Sequence, residues 1–125
     1  MQASVETTEG LSHRVEPARA AETGHVEVAA KFFRGLGDPT RLRIIQLLLE
    51  GEKNVGELVD LTGVPQGRIS THLGCLRWCG YVCAERAGRN VYYRVADPRV
   101  RELVILAQQI IADNASHISC CQIIK

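Results

Sequence analysis

The sequence predicts a mainly α-helical chain with one small β-hairpin, and three observations carry that reading. Two short helical segments meet at Thr62-Gly63-Val64-Pro65, the spacing of a helix-turn-helix. Two β-rich runs, Tyr81–Glu85 and Val91–Val95, flank Arg86-Ala87-Gly88-Arg89-Asn90, a hairpin turn with glycine and asparagine where positive φ is needed. Asp-Pro occurs at Asp38-Pro39 and again at Asp97-Pro98, each a helix start with aspartate as N-cap and proline in the first turn. A hairpin directly after the second helix of such a motif is a wing. The expected architecture is therefore a winged helix-turn-helix.

Each element has its own signal. Met1 to about Thr23 is polar and acidic and gives no firm start, although Val15–Glu22 allows a short arm helix. His25–Leu36 carries Val26, Ala29, Ala30, Phe33 and Leu36 at helical spacing and stops at Gly37. Pro39–Glu50 presents Leu42, Ile45, Leu48 and Leu49 inward. Asn54 with Glu57 forms a capping box that opens Val55–Leu61. Val64-Pro65 starts the next helix, because a residue before proline avoids the α region. That helix runs to Trp78 or Cys79 and ends at Gly80. After the hairpin, a long helix has Val100, Leu103, Val104, Ala107, Ile110 and Ile111 on one stripe. A tail follows Asp113, expected to be mobile.

Composition bounds the function. A chain of 125 residues, 46% apolar, suits one domain with a modest core. No apolar run reaches membrane-spanning length, so no membrane partner is expected. Met1–His13 lacks a basic region followed by an apolar stretch, which argues against a signal peptide and for a cytoplasmic location. The five cysteines should then be reduced, and an odd number cannot all pair internally. Net charge is only +1, but it is unevenly spread. Leu61–Arg94 holds five basic residues (Arg68, Arg77, Arg86, Arg89, Arg94) against Glu85, whereas Met1–Ala30 holds five acidic and two basic. A basic zone confined to one helix and the hairpin fits a DNA-facing end; a solvated charged face is the plain alternative.

The most informative stretch is Pro65–Gly80, P-Q-G-R-I-S-T-H-L-G-C-L-R-W-C-G. At about 100° per residue, Ile69, Leu73 and Leu76 form the core stripe. Gly67, Ser70, Thr71 and Gly74 fall on another side, where small and hydroxyl residues allow approach to base edges and phosphates. Gln66 is suited to adenine and Arg68 to guanine or phosphate. Arg68, His72, Cys75 and Cys79 share a flank off the core stripe. Cys75 and Cys79, at i and i+4, lie about 6 Å apart along the axis and can converge on one metal. A lone buried cysteine is commonly just a small hydrophobe. Here the flank position and the further thiols Cys120 and Cys121 favour ligation, one of the tail thiols being the candidate third ligand. Such a set suits Cd(II), Pb(II) or Hg(II). Cys83 reads as packing and His117 as a solvated tail residue.

These residues resemble the ArsR/SmtB family of metal-responsive winged-helix repressors. The resemblance rests on Leu36-Gly37-Asp38-Pro39-Thr40-Arg41-Leu42-Arg43-Ile44, Ile69-Ser70-Thr71-His72-Leu73-Gly74-Cys75-Leu76, Gly80-Tyr81-Val82 and Gly88-Arg89-Asn90-Val91-Tyr92-Tyr93, over roughly 25–113. The pair in Cys75-Leu76-Arg77-Trp78-Cys79-Gly80 is similar to the CmtR-like cadmium- and lead-sensing branch, an architecture some mercury-resistance repressors share. The helix Pro39–Glu50 lacks the thiol box that other relatives carry there, and Asp97-Pro98-Arg99 lacks the aspartate-histidine pattern of zinc and nickel sensors. The resemblance implies a homodimer on an inverted-repeat operator, with DNA contacts at Gln66, Arg68, Ser70, Thr71 and His72, and wing contacts at Arg86 and Arg89. Val26–Phe33 and the last helical stripe are the expected dimer surfaces, although an all-core reading fits them equally.

The expected organisation is a partly disordered arm (1–24), a DNA-binding and dimerisation domain (25–113) and a cysteine-containing metal-binding tail (114–125). The expected function is a repressor released from DNA by a soft metal. Two alternatives keep some of the same features: a thiol redox switch on a DNA-binding repressor, or a thiol enzyme of metal detoxification. Against an enzyme, the chain has no C-x-x-C pair, no glycine-rich nucleotide loop and no acid–base cluster.

Overall fold

The computed structural model describes residues 16–124. Five helices and three strands follow in the order α1 (Glu16–Leu36), α2 (Pro39–Leu49), β1 (Lys53–Asn54), α3 (Val55–Thr62), α4 (Gln66–Trp78), β2 (Val82–Ala87), β3 (Asn90–Val95) and α5 (Pro98–Cys120). They make two compact units, one ending at Arg34 and one beginning at Gly35. Residues 1–15 of the expected arm lie outside the described residues.

The first unit is helical from Glu16, not from His25. The expected break near Thr23-Gly24 is absent, and the expected boundary at residue 24 falls inside α1. Pro17 sits in the first turn, where its missing N–H costs nothing, and the alanines after it favour helix. Val26, Val28 and Phe33 are more than half exposed, and Phe32 packs edge-on against Phe33 at 5.5 Å.

The second unit is built around the helix-turn-helix. The Asp38 carboxylate accepts from Arg41 N at 3.0 Å and starts α2. The capping box of α3 is complete: Asn54 Oδ1 accepts from Glu57 N at 2.8 Å, and Glu57 Oε1 accepts from Asn54 N at 2.9 Å. Gly63, at φ +74°, closes α3 with its N–H on Val59 O and turns the chain into α4. At the far end, Tyr81 N donates to Leu76 O and Gly80 N to Arg77 O, with Gly80 at φ +87°. This paired closure fixes where α4 stops and where Cys79 and Tyr81 stand relative to it.

The core is continuous across the unit: Ile44, Ile45, Leu47 and Leu48 of α2, Leu58 of α3, Ile69, Leu73 and Leu76 of α4, then Tyr81, Val82, Val100 and Val104. Each such side chain contributes about 1.5–3 kcal/mol on burial. The α4 stripe is the expected one. On α2, Leu42 and Leu49 are only half-buried, and Ile44 and Leu47 take the inward places expected for them. This helix packs against α3, α4 and β3 and is apolar on most sides, so its neighbours choose its face.

The hairpin is longer and tighter than expected. Ala87 pairs with Asn90, which leaves a two-residue turn, Gly88-Arg89, with Gly88 at φ +65°. A third strand is added: β1 pairs with β3 (Lys53 with Tyr93, Asn54 with Tyr92), giving the order β1-β3-β2. Helix α5 opens on Asp97, whose carboxylate accepts from Arg99 N at 2.8 Å. Arg101 reaches back to donate to Leu49 O at 2.6 Å, satisfying a carbonyl at the end of α2. The segment after Asp113, read from the sequence as a tail, is helical. It continues α5 to Cys120 across one non-helical residue, Asn114, whose amide donates to Ile110 O at 2.9 Å. No proline or glycine lies between Asn114 and Lys125 to stop it. Beyond Val104 the apolar residues of α5 are uncovered: Ile105, Leu106, Ile110, Ile111 and Ile118 are each about half exposed.

Candidate functional site

Helix α4 separates three surfaces. Ile69, Leu73 and Leu76 hold it to the core. Gln66, Gly67, Arg68, Ser70, Thr71 and Gly74 are all exposed. A Cβ added at Gly67 or Gly74 would meet nothing within 4 Å, so neither glycine is required by packing within the chain. The Thr71 hydroxyl donates to Gly67 O at 3.0 Å, which keeps it close to the helix surface. In contrast to α3, no side chain caps the start of α4; Pro65 stands at the N-cap. Its first amides therefore lie open toward an anion such as a DNA phosphate. Arg86 and Arg89 are exposed on the hairpin, Arg89 at its tip. Small residues, an open helix start and a basic wing together form a surface that can enter a groove and grip the backbone beside it.

His72 stands apart from the other expected DNA contacts. Its ring is turned to the α2 start: Nδ1 lies 3.3 Å from Arg41 Nη1 and Nε2 lies 3.9 Å from Asp38 Oδ2, with the side chain 15% exposed. Arg41 also donates from Nε to Gly35 O at 2.7 Å. An Asp38–Arg41–His72 cluster thus joins the segment before α2 to the flank of α4. The helical wheel places His72 on that flank, but its partners 31 and 34 residues away are not readable from spacing.

On the same flank Cys75 and Cys79 stand as neighbours one helical turn apart, and both residues are half-buried. Burial, and then the neighbouring Cys75, pushes the Cys79 thiol above its ordinary value, while the charge of Arg41 pulls the other way. Cys79 Sγ rests over Gly35: a Cβ there would stand 3.5 Å from the sulfur and 3.1 Å from Tyr81 Cε2. Burial also pushes the Tyr81 phenol up to about 12, with Cys79 adding to the effect. Two soft donors side by side, partly screened from water and free of a disulfide, suit a thiophilic ion.

The other cysteines are elsewhere. Cys83 sits opposite Arg94 in the hairpin and accepts from its guanidinium at 3.2 Å. Cys120 is exposed at the last turn of α5. Cys121 is half-buried, and its sulfur accepts from the backbone N–H groups of Ile124 and Ile123, which hold its thiol below the ordinary value. Among the described residues, no three His, Cys, Asp or Glu side chains gather as a metal-holding group. The single chain brings Cys75 and Cys79 together and does not bring Cys120, Cys121 or His117 to them. No described helix is long and apolar enough to cross a membrane.

Comparison with known proteins bears on the family and the fold. Residues 38–83 match the model of the arsR family of bacterial regulatory proteins. The chain is 50% identical over 97 residues, 78% of each chain, to the "Probable mercury resistance operon repressor" of Streptomyces lividans. It is 43% identical over 84 residues, 66% of this chain and 71% of the other, to the HTH-type transcriptional regulator CmtR of Mycobacterium bovis. Its fold matches a homodimeric winged helix-turn-helix DNA-binding domain from Mycobacterium bovis with a TM-score of 0.67 at 30% identity, covering 83% of this chain and 92% of that one. A winged helix-turn-helix with an open recognition face and this degree of identity has one reading: the chain belongs to the arsR family of bacterial regulatory proteins, and it is a regulator, not an enzyme.

Proposed function

We propose that this protein is a dimeric repressor that binds an inverted-repeat operator and leaves it on binding a soft metal ion, Cd(II), Pb(II) or Hg(II). The observation that carries the reading is the half-buried Cys75–Cys79 thiol pair, one helical turn apart on the flank of the helix whose other face is open for DNA. Gln66, Arg68, Ser70 and Thr71 would contact the groove, and Arg86 and Arg89 the backbone. The half-exposed apolar residues of α1 and α5 are the dimer faces, as in a C2 pairing. The homodimeric relative supports this, and the mercury-operon relative supports a thiophilic inducer.

Cys75 and Cys79 supply two thiolates, and the third comes from the tail of the second subunit. We assign it to Cys121, because two backbone N–H groups on its sulfur stabilise the thiolate. Bound there, a soft cation supplies strong bonds to sulfur that replace the thiol protons. The chain's residues do the rest. Cys75 and Cys79 transmit the position of the tail to α4, and the Asp38–Arg41–His72 cluster carries it to the start of α2. The half-sites then no longer match the operator spacing. A coupling of about 1–3 kcal/mol, roughly 5- to 150-fold in affinity, is enough for a switch. Under this reading the DNA-binding part is the unit that begins at Gly35, and the metal-binding tail, 114–125, is the end of α5 and the residues after it.

The test is the sulfur-to-metal absorption of the reduced protein with Cd(II). Cys75→Ser and Cys79→Ser should each abolish most of the band, and Cys121→Ser should weaken it more than Cys120→Ser. Retention of the full band in both helix variants would remove the site from α4. Reversal of DNA release by a reductant but not by a chelator would instead favour a redox switch.

A further inference from the structure

Trp78 has no role in the metal-release reading, and its environment is unusual. It is 93% exposed, the most open large apolar side chain among the described residues. It adjoins Cys79 in sequence and stands three residues from Cys75, so it is a surface neighbour of the thiol pair. At the other end of the chain, Ile123 and Ile124 are 90% and 79% exposed. They follow Cys121 by two and three residues. The turn after α5 therefore gathers one thiol and two isoleucines into a single knob. Wherever the Cys121 sulfur goes, those side chains arrive within a few ångströms of it, since each residue spans at most about 3.5 Å.

We propose that Trp78 is the seat for Ile123 and Ile124 of a second copy of this chain, occupied when the tail of that copy joins the Cys75–Cys79 pair. The inference rests on the thiol-site reading and adds the partner surface to it. The occupant is a second copy because the chain's own tail leaves Trp78 and both isoleucines open to water and, among the described residues, no third donor joins the pair. DNA is the less suited occupant. Trp78 is at the last turn of α4, roughly 16 Å along the axis from Gly67 at the end that enters the groove. Once one thiolate of the tail is tethered, the high effective concentration of the isoleucines makes the apolar contact an intramolecular step. The covered surface borders the Thr71–Gly74 stripe, so a docked tail would also crowd the DNA face.

Trp78 is the only tryptophan, so its emission reports the seat directly. The probe is Cd(II) added to reduced full-length protein without DNA. The emission should move to shorter wavelength and become less accessible to acrylamide, saturating together with the sulfur-to-metal band. Ile123→Ser/Ile124→Ser should keep the band and leave the emission at its metal-free position. Both residues are exposed, so the fold is not at stake. Mixed dimers of that double variant with a Trp78→Phe chain carrying the native tail should regain the shift, because the native tail then faces the remaining tryptophan. A full shift in the double variant, or none in the mixed dimers, overturns the proposal. A normal band with unmoved emission in the native protein removes the seat alone; no band at all removes the thiol site and the seat with it.

Discussion

Gly67 and Gly74 show how a side chain's absence separates function from folding. Nothing among the described residues occupies the space a Cβ would take at either position; Gly74 lies inside α4, where glycine costs about 0.5–1 kcal/mol relative to alanine, and Gly67 is its second residue, where that cost is an upper bound. Gly67→Ala should therefore leave the free protein as stable or up to about 1 kcal/mol more stable, while weakening operator binding. Thermal unfolding and a DNA-binding isotherm on the same variant check both halves. Loss of stability would mean that the glycine serves the fold. Gly35 is the opposite case: its missing Cβ is what lets the Tyr81 ring sit as close as it does, since a Cβ there would stand 3.1 Å from Tyr81 Cε2. The cysteines followed from the sequence because i, i+4 spacing is a local property. The proximity of Arg41 to His72 did not, because it depends on how α2 and α4 pack.

At the scale of elements, capping explains most of what was legible. Asp38, Asn54 and Asp97 each cap the helix their position predicts. The Arg41 backbone N–H on its carboxylate, and then the nearby charges of His72 and Arg41, hold Asp38 below its ordinary value against an opposing effect of burial. A carboxyl depressed in the folded state stabilises above its unfolded value near 3.8, and loses that contribution as pH falls through the folded value. Asp38→Ala should cost about 1 kcal/mol at neutral pH, and Asp38→Asn should keep part of the cap with a shallower loss of stability in acid. An acid limb as steep as in the native protein would contradict the assignment. Three elements were not legible. β1 is two polar residues with no alternation, and exists only because β3 lies beside it. α1 begins nine residues early because Gly24 weakens a helix without ending it. α5 outruns Asp113 because nothing there breaks it, and a polar sequence alone does not distinguish helix from tail.

For the whole molecule, the division of charge and apolar surface assigns the partners. Basic residues outnumber acidic ones on α4 and the hairpin, while most of the uncovered large apolar residues lie on α1 and α5, with Trp78 on α4 and Ile123 and Ile124 after α5 as the most open ones. Periodicity found the α5 stripe but not its fate: Val100 and Val104 enter the core, whereas Ile110 and Ile111 remain half exposed. Only the fold of a single chain divides core from uncovered surface. Arg89, at the exposed tip of the wing, should act on DNA through charge. Arg89→Ala should weaken binding similarly across sequences. It should also lower the slope of log affinity against log salt by about 0.9 for each phosphate that the dimer no longer neutralises. An unchanged slope would take the wing off the backbone.

The central claim is that one metal event at the α4 flank, completed by the tail of a second subunit, releases the operator. The most direct measurement is release of promoter DNA from reduced protein titrated with Cd(II), compared between the full chain and a chain ending at Ser119. The account predicts that both bind the operator equally without metal, that the full chain releases it, and that the shortened chain responds weakly. Full metal-driven release by the shortened chain would contradict it.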